Sequence, residues 1–158
     1  MEKILENARI IKEILENELK LKISEVNTSD DEMVYIIATK ITFTDIKIKM
    51  FSNIDIFDDF IIINFFNITV DDDNYYKLDK NKIMQLNEHL KIGAFGTTID
   101  ENTEFLTFKF TLLIDSEGSF DQYLFKKAYI LNLKNIVDHS LNLLGWFYER
   151  KFFRWIKY

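Results

Sequence analysis

Residues 84–114, MQLNEHLKIGAFGTTIDENTEFLTFKFTLLI, decide the fold. The stretch opens as the end of a short helix, passes Gly93 and Gly96, and then alternates. Leu106, Phe108, Phe110, Leu112 and Ile114 fall on one side, with Thr107, Lys109 and Thr111 on the other. A period of two marks a strand with one buried and one wet face. The ENT at 101–103 supplies a hairpin turn, so helix, glycine step and hairpin follow in direct succession. GAFG after a helix is the wrong order for a phosphate loop, in which a strand comes first and the amides of the following helix point at the anion. Gly93 is expected instead to cap the helix in the left-handed conformation.

Working outward, the chain before this stretch reads as a helix followed by strands. Ile4, Leu5, Ala8, Ile11, Leu15 and Leu19 recur at steps of three and four, which predicts an amphipathic helix over Glu2–Leu19. Ile10 and Ile14 widen its apolar stripe, as if it met two surfaces, one of them a partner subunit. A period-two segment begins at Leu21 and a polar turn spans 27–32. Strands are expected over Met33–Lys40, over Thr44–Met50 with Ile46, Ile48 and Met50 on one face, and over the β-prone FIIINFFNITV of Phe60–Val70. A polar spacer, DDDNYYKLDK, leads to a helix over Asp79–Leu90 with Asp79 as its cap. After the hairpin, the longest helix is predicted from Asp121 to at least Phe147, with Leu124, Ala128, Leu131, Val137, Leu141 and Leu144 along one side. The whole reads as one α+β domain over 1–158. Its order is an N-terminal helix, an antiparallel meander of about four strands, a helix, a β-hairpin and a long C-terminal helix.

Composition narrows the function classes. Apolar residues make up 47% and charged residues 29% of the 158, the balance of a folded domain. A formal charge of −6 argues against a nucleic-acid partner, because phosphate contacts need a cationic surface. There is no cysteine, hence no disulfide framework and no thiolate nucleophile. The first twenty residues mix acids and bases into their apolar positions, unlike a secretory leader, and no apolar run reaches the roughly 18 residues of a membrane span. A cytoplasmic location is the simplest expectation. The last segment, WFYERKFFRWIKY, interleaves Trp146, Phe153 and Trp155 with cations, for a local balance of +3. It reads as an aromatic packing element or partner contact, with peripheral membrane contact as the lesser alternative.

No catalytic, cofactor or metal set assembles from the motifs. His89 and His139, the only histidines, lie on different predicted helices without neighbouring ligands. Asp55, Asp58 and Asp59 with Asp71, Asp72 and Asp73 flank the central strand, and a metal-dependent hydrolase built on them is one alternative. DDDN lacks the spacing and glycine of a calcium loop, so acids that hydrate the strand ends are the plainer reading.

Asn87 near the end of the second helix, Gly93, Phe95 and Gly96 at its exit, the acidic turn at Asp100 and Glu101, the apolar strand and the long final helix together resemble the YbjN family. The resemblance covers about Glu32–Phe147 and implies a fold like that of class I type III secretion chaperones. It implies a bacterial, acidic, dimeric protein that binds extended segments of other proteins and carries no catalytic residues or cofactor. The expectation is therefore a non-enzymatic, chaperone-like homodimer that binds a partner protein or peptide in an apolar groove or at a strand edge. Ile46, Ile48, Met50, Phe108, Phe110, Trp146, Phe153 and Trp155 are its candidate partner-binding residues. An immunity or antitoxin-type protein that blocks a basic partner is the alternative within the binding class.

Overall fold

The computed structural model describes residues 2–27, 33–70 and 78–144. All but the first residue of the turn predicted over 27–32, most of the spacer after Val70 and the whole aromatic tail from Trp146 lie outside the described residues. Within them the chain runs α1 (Glu2–Glu13), β1 (Ile23–Asn27), β2 (Tyr35–Phe43), β3 (Ile48–Ile56), β4 (Phe60–Val70), α2 (Lys80–Asn87), β5 (Ala94–Asp100), β6 (Thr103–Leu113) and α3 (Gln122–Leu143). The α+β order read from the sequence is the order observed.

The six strands form one sheet, β1-β2-β3-β4-β6-β5, and every neighbouring pair is antiparallel. Four strands follow one another as a meander, and the β5–β6 hairpin adds to its far edge. The hairpin turn needs only two residues, Glu101 and Asn102, both at positive φ (46° and 67°). Such turns match the right-handed twist of the strands they join.

Alternation sends every second side chain to the same face. Ile37 and Ile41 of β2, Ile48, Met50, Ile54 and Ile56 of β3, Ile61, Ile63, Phe65 and Ile68 of β4, and Leu106, Phe108 and Phe110 of β6 are all buried there. The core continues into the helices. Ile4, Ala8, Ile11, Ile14 and Leu15 of α1 and its widened last turn cover β2 and β3, while Phe125, Tyr129 and Ile136 of α3 are buried on the same side. Phe65 sits at the centre, with its ring 5.5 Å from Tyr129 and 6.4 Å from Phe108. Offset and tilted pairs at such distances add about 0.5–1.5 kcal/mol beyond area burial.

Several boundaries differ from expectation for physical reasons. Residues 44–47 are a turn, not the start of a strand, and Lys47 takes a left-handed φ of 57° there; β3 then runs six residues further than predicted. The helix α2 ends at Asn87, so Gly93 does not cap it. Gly93 has the expected positive φ (72°) but stands at the entrance to β5, where a Cβ would lie 2.5 Å from the Phe108 ring. The wide stripe of α1 needs no second subunit, since Ile14 is buried in the core and Ile10 packs against it.

The predicted face of α3 holds at Ala128 and Leu144, which are buried, and at Leu141, which packs against the core, but not along its outer half. Leu124 and Leu131 are exposed, by 53% and 41%, and the core face runs instead through Phe125, Ala128, Tyr129, Asn132, Ile136, Ser140 and Leu143. Two polar side chains, Asn132 and Ser140, interrupt that face, which hid it in the sequence.

Candidate functional site: the open face of the sheet

All three helices lean on one side of the sheet, and strand alternation places a second set of side chains on the other. This open face carries Ala38 and Lys40 of β2, Phe51, Asn53 and Asp55 of β3, Ile62, Asn64 and Phe66 of β4, and Phe105, Thr107 and Lys109 of β6. At its middle, Phe51 and Phe66 are directly opposed across β3 and β4, with their rings stacked at 5.7 Å. Phe51 remains 43% exposed, and the ammonium of Lys40 stands 6.0 Å from its ring centroid. Together with Lys22, Ile23, Ala38 and Asn53 they line a shallow, mainly apolar groove of about 380 Å³.

Electrostatically this face differs from the chain as a whole. Lys40 and Lys109 are exposed on it, whereas the protein is acidic. Near the end of β3, Asp55 places a half-buried carboxylate on this face. Burial pushes its carboxyl above the usual value, and nearby Lys109 opposes that rise.

The sequence-derived candidates fall elsewhere. Ile48, Met50, Phe108 and Phe110 are at most 3% exposed and form part of the core under the helices, so they present no surface to a partner. Ile46 lies half-buried in the turn between β2 and β3. Trp146, Phe153 and Trp155 are outside the described residues. What sequence reading missed is the Phe51–Phe66 pair. The signal was present, because two adjacent phenylalanines in one strand, Phe65 and Phe66, must point to opposite faces.

Asn87, one of the residues behind the family resemblance, has a defined job. Its side-chain amide donates to the Phe95 carbonyl (2.9 Å) and accepts from the Phe95 amide (2.8 Å), closing the outer edge of β5 at that residue. Asp79 caps α2 as expected, accepting from the amides of Asn81 and Lys82. An ion pair of 3.0 Å between Lys80 and Glu104 ties the same helix to β6.

A second concavity, about 270 Å³, opens at one end of the sheet and collects Asp58, Asp59, Asp115 and Glu117 around Lys3. Among the described residues no three His, Asp or Glu side chains form a group able to hold a metal ion, and Asp71, Asp72 and Asp73 lie outside them. His89 is exposed beyond the end of α2, and His139 meets the Phe95 ring edge-on at 6.5 Å. No helix among the described residues is long and apolar enough to cross a membrane. The chain matches no protein-family model, no curated protein and no solved structure.

Proposed function

We propose that this protein is a non-catalytic binding module, chaperone-like in its action, that receives an extended segment of a partner protein on the open face of its sheet. The observation that carries the reading is the Phe51–Phe66 pair, two large rings placed outside the core in a groove flanked by lysines. An aromatic pair partly exposed on a sheet is costly to leave in water and is favourable to cover. The cationic surroundings favour a segment that carries acidic side chains beside its apolar ones. The resemblance to the YbjN family points the same way, and in this reading the protein works as a cytoplasmic homodimer without a cofactor.

The test is selection of a displayed random-peptide library on the purified chain. Enriched peptides are expected to combine acidic and aromatic or aliphatic residues, and to lose at least about tenfold in affinity against Phe51→Asp. Peptides that bind Phe51→Asp and Phe66→Asp as tightly as the parent would overturn the assignment of the face.

The acidic concavity at Asp58, Asp59, Asp115 and Glu117 supports a second reading, an immunity-type protein that covers a basic partner. In that case Asp58→Lys with Glu117→Lys abolishes binding of a cationic protein, and Phe51→Asp leaves it unchanged.

A further inference from the structure

The open face carries a second aromatic pair. Phe57 and Phe60 close the β3–β4 hairpin, where the Phe57 amide donates to the Phe60 carbonyl (3.0 Å) and the two rings stack at 4.4 Å. Leu113 of β6 lies directly opposite Phe60 and is 83% exposed. These side chains stand outside the core, because Ile54, Ile56, Ile61 and Ile63, which alternate with them, are the ones buried under the helices.

Register ties the two pairs together. From Phe51 and Phe66 the ladder steps through Asn53 opposite Asn64 and Asp55 opposite Ile62, and one further step reaches Phe57 and Phe60. An even number of residues separates the pairs on each strand, so both project from the same face. At about 3.4 Å per residue they are about 20 Å apart. Beyond Phe66 the ladder breaks: Asn67 takes a left-handed φ of 50°, and the pairing of β4 with both neighbours shifts there. A bulge of this kind ends regular pairing, so the Phe51–Phe66 pair marks one fixed end of the row.

The two ends differ in charge. Lys40 is directly opposite Phe51, and Lys22 lines the same groove. At the other end Phe57 and Phe60 enclose the exposed Asp58 and Asp59, and Asp115 and Glu117 gather there with Lys3. We infer that the face holds two anchors, and that its occupant is an extended segment of a partner protein with large apolar side chains at two positions six residues apart. The segment is acidic beside the side chain that meets Phe51 and basic beside the one that meets Phe57 and Phe60. This inference rests on the binding reading above and names the segment that the face takes.

Spacing selects an extended chain. Side chains i and i+6 of such a chain point the same way and lie about 20 Å apart, the separation of the two pairs. A helix, rising about 1.5 Å per residue, would need about 13 or 14 residues to cover that span. Charge then assigns the ends, since the reverse placement sets like charges together at both. Between the anchors, one inward side chain meets Asn53 and Asn64, whose amides favour a polar group there.

Labelled peptides with two phenylalanines, spaced from about four to about fourteen residues apart, test this by anisotropy against the full chain. A spacing of six, with aspartate beside one ring and lysine beside the other, is expected to bind at least about tenfold tighter than five or seven, which turn the second ring away from the face. Leu113→Asp should weaken that peptide about as much as Phe51→Asp does. Both side chains are exposed, so the unfolding midpoints should stay close to that of the parent. Lys22→Glu with Lys40→Glu should transfer the preference to peptides with lysine beside both rings. Equal affinity at every spacing, tightest binding near fourteen, or a loss in Phe51→Asp with none in Leu113→Asp would each overturn the two-anchor arrangement, while binding that still depends on Phe51 leaves its groove as the site. Peptides that bind the parent chain at no spacing would overturn both readings.

Discussion

Helices α1 and α3 lie on the same side of one sheet, yet α1 buries most of the stripe its sequence advertises, Leu5 excepted, while α3 buries only part of its own. In α1 the series Ile4, Ala8, Ile11 and Leu15 is at most 5% exposed. In α3 the comparable leucines at 124 and 131 face water, and the sheet receives Phe125, Tyr129, Asn132, Ile136 and Ser140. Periodicity reports that a helix has an apolar side; it does not choose between two such sides. Volume made the choice in α3. The space above Phe65 is filled by the Phe125 and Tyr129 rings, whose centroids are 6.0 Å apart, and leucines would leave part of it empty. Asn132 is half satisfied there: its amide donates to the Ala128 carbonyl at 2.7 Å, while its buried side-chain oxygen accepts no hydrogen bond from the described residues.

The largest effect that could break this contrast is in the core. Ile11→Ala is expected to cost about 2–5 kcal/mol in urea unfolding, and Leu131→Ala less than about 0.5 kcal/mol in dilute solution. Equal costs would mean that α3 is turned the other way. Next is Asn87→Ala, which strips two hydrogen bonds from Phe95 and should cost about 1–3 kcal/mol, a test of whether α2 is held by its polar clamp rather than by Ile83, its one buried apolar residue. Asp121→Ala removes the carboxylate that accepts from the Leu124 amide and should cost about 1 kcal/mol. The smallest effect is at Tyr129, where burial pushes the hydroxyl well above its usual pKa and the adjacent Ser52 hydroxyl only partly opposes this. Since the folded protein holds that proton more tightly than the unfolded chain, stability is unaffected below about pH 10 and falls as pH rises above it. Tyr129→Phe should be near neutral at pH 7 and should flatten the alkaline loss in a pH series of melts.

Much of the fold was legible because its signals are local. The alternation of 104–114, the periodic α1 and the acid caps each concern residues close in sequence, and Asp79 and Asp121 stand where helix starts were expected. The site was less legible. Ile48, Met50, Phe108 and Phe110 were chosen for being apolar and regularly spaced, which is also what qualifies a residue for the core. Phe51 and Phe66 gain meaning only once β3 and β4 are in register, a fact about residues 15 apart in the chain. The outer stripe of α3 was seen in the sequence, but as core.

The Asn87 side chain has one more consequence. An amide that donates to and accepts from the same residue presents what a peptide group of an added strand would present, so at Phe95 the sheet already has its next neighbour. Templated growth from that edge, the route by which exposed strands seed fibrils, is stopped at its first rung by a single side chain. Replacing Asn87 would thus do more than loosen α2. It would free a docking place for β-structured aggregation, visible as faster thioflavin-positive assembly of the variant at temperatures where the sheet is still folded.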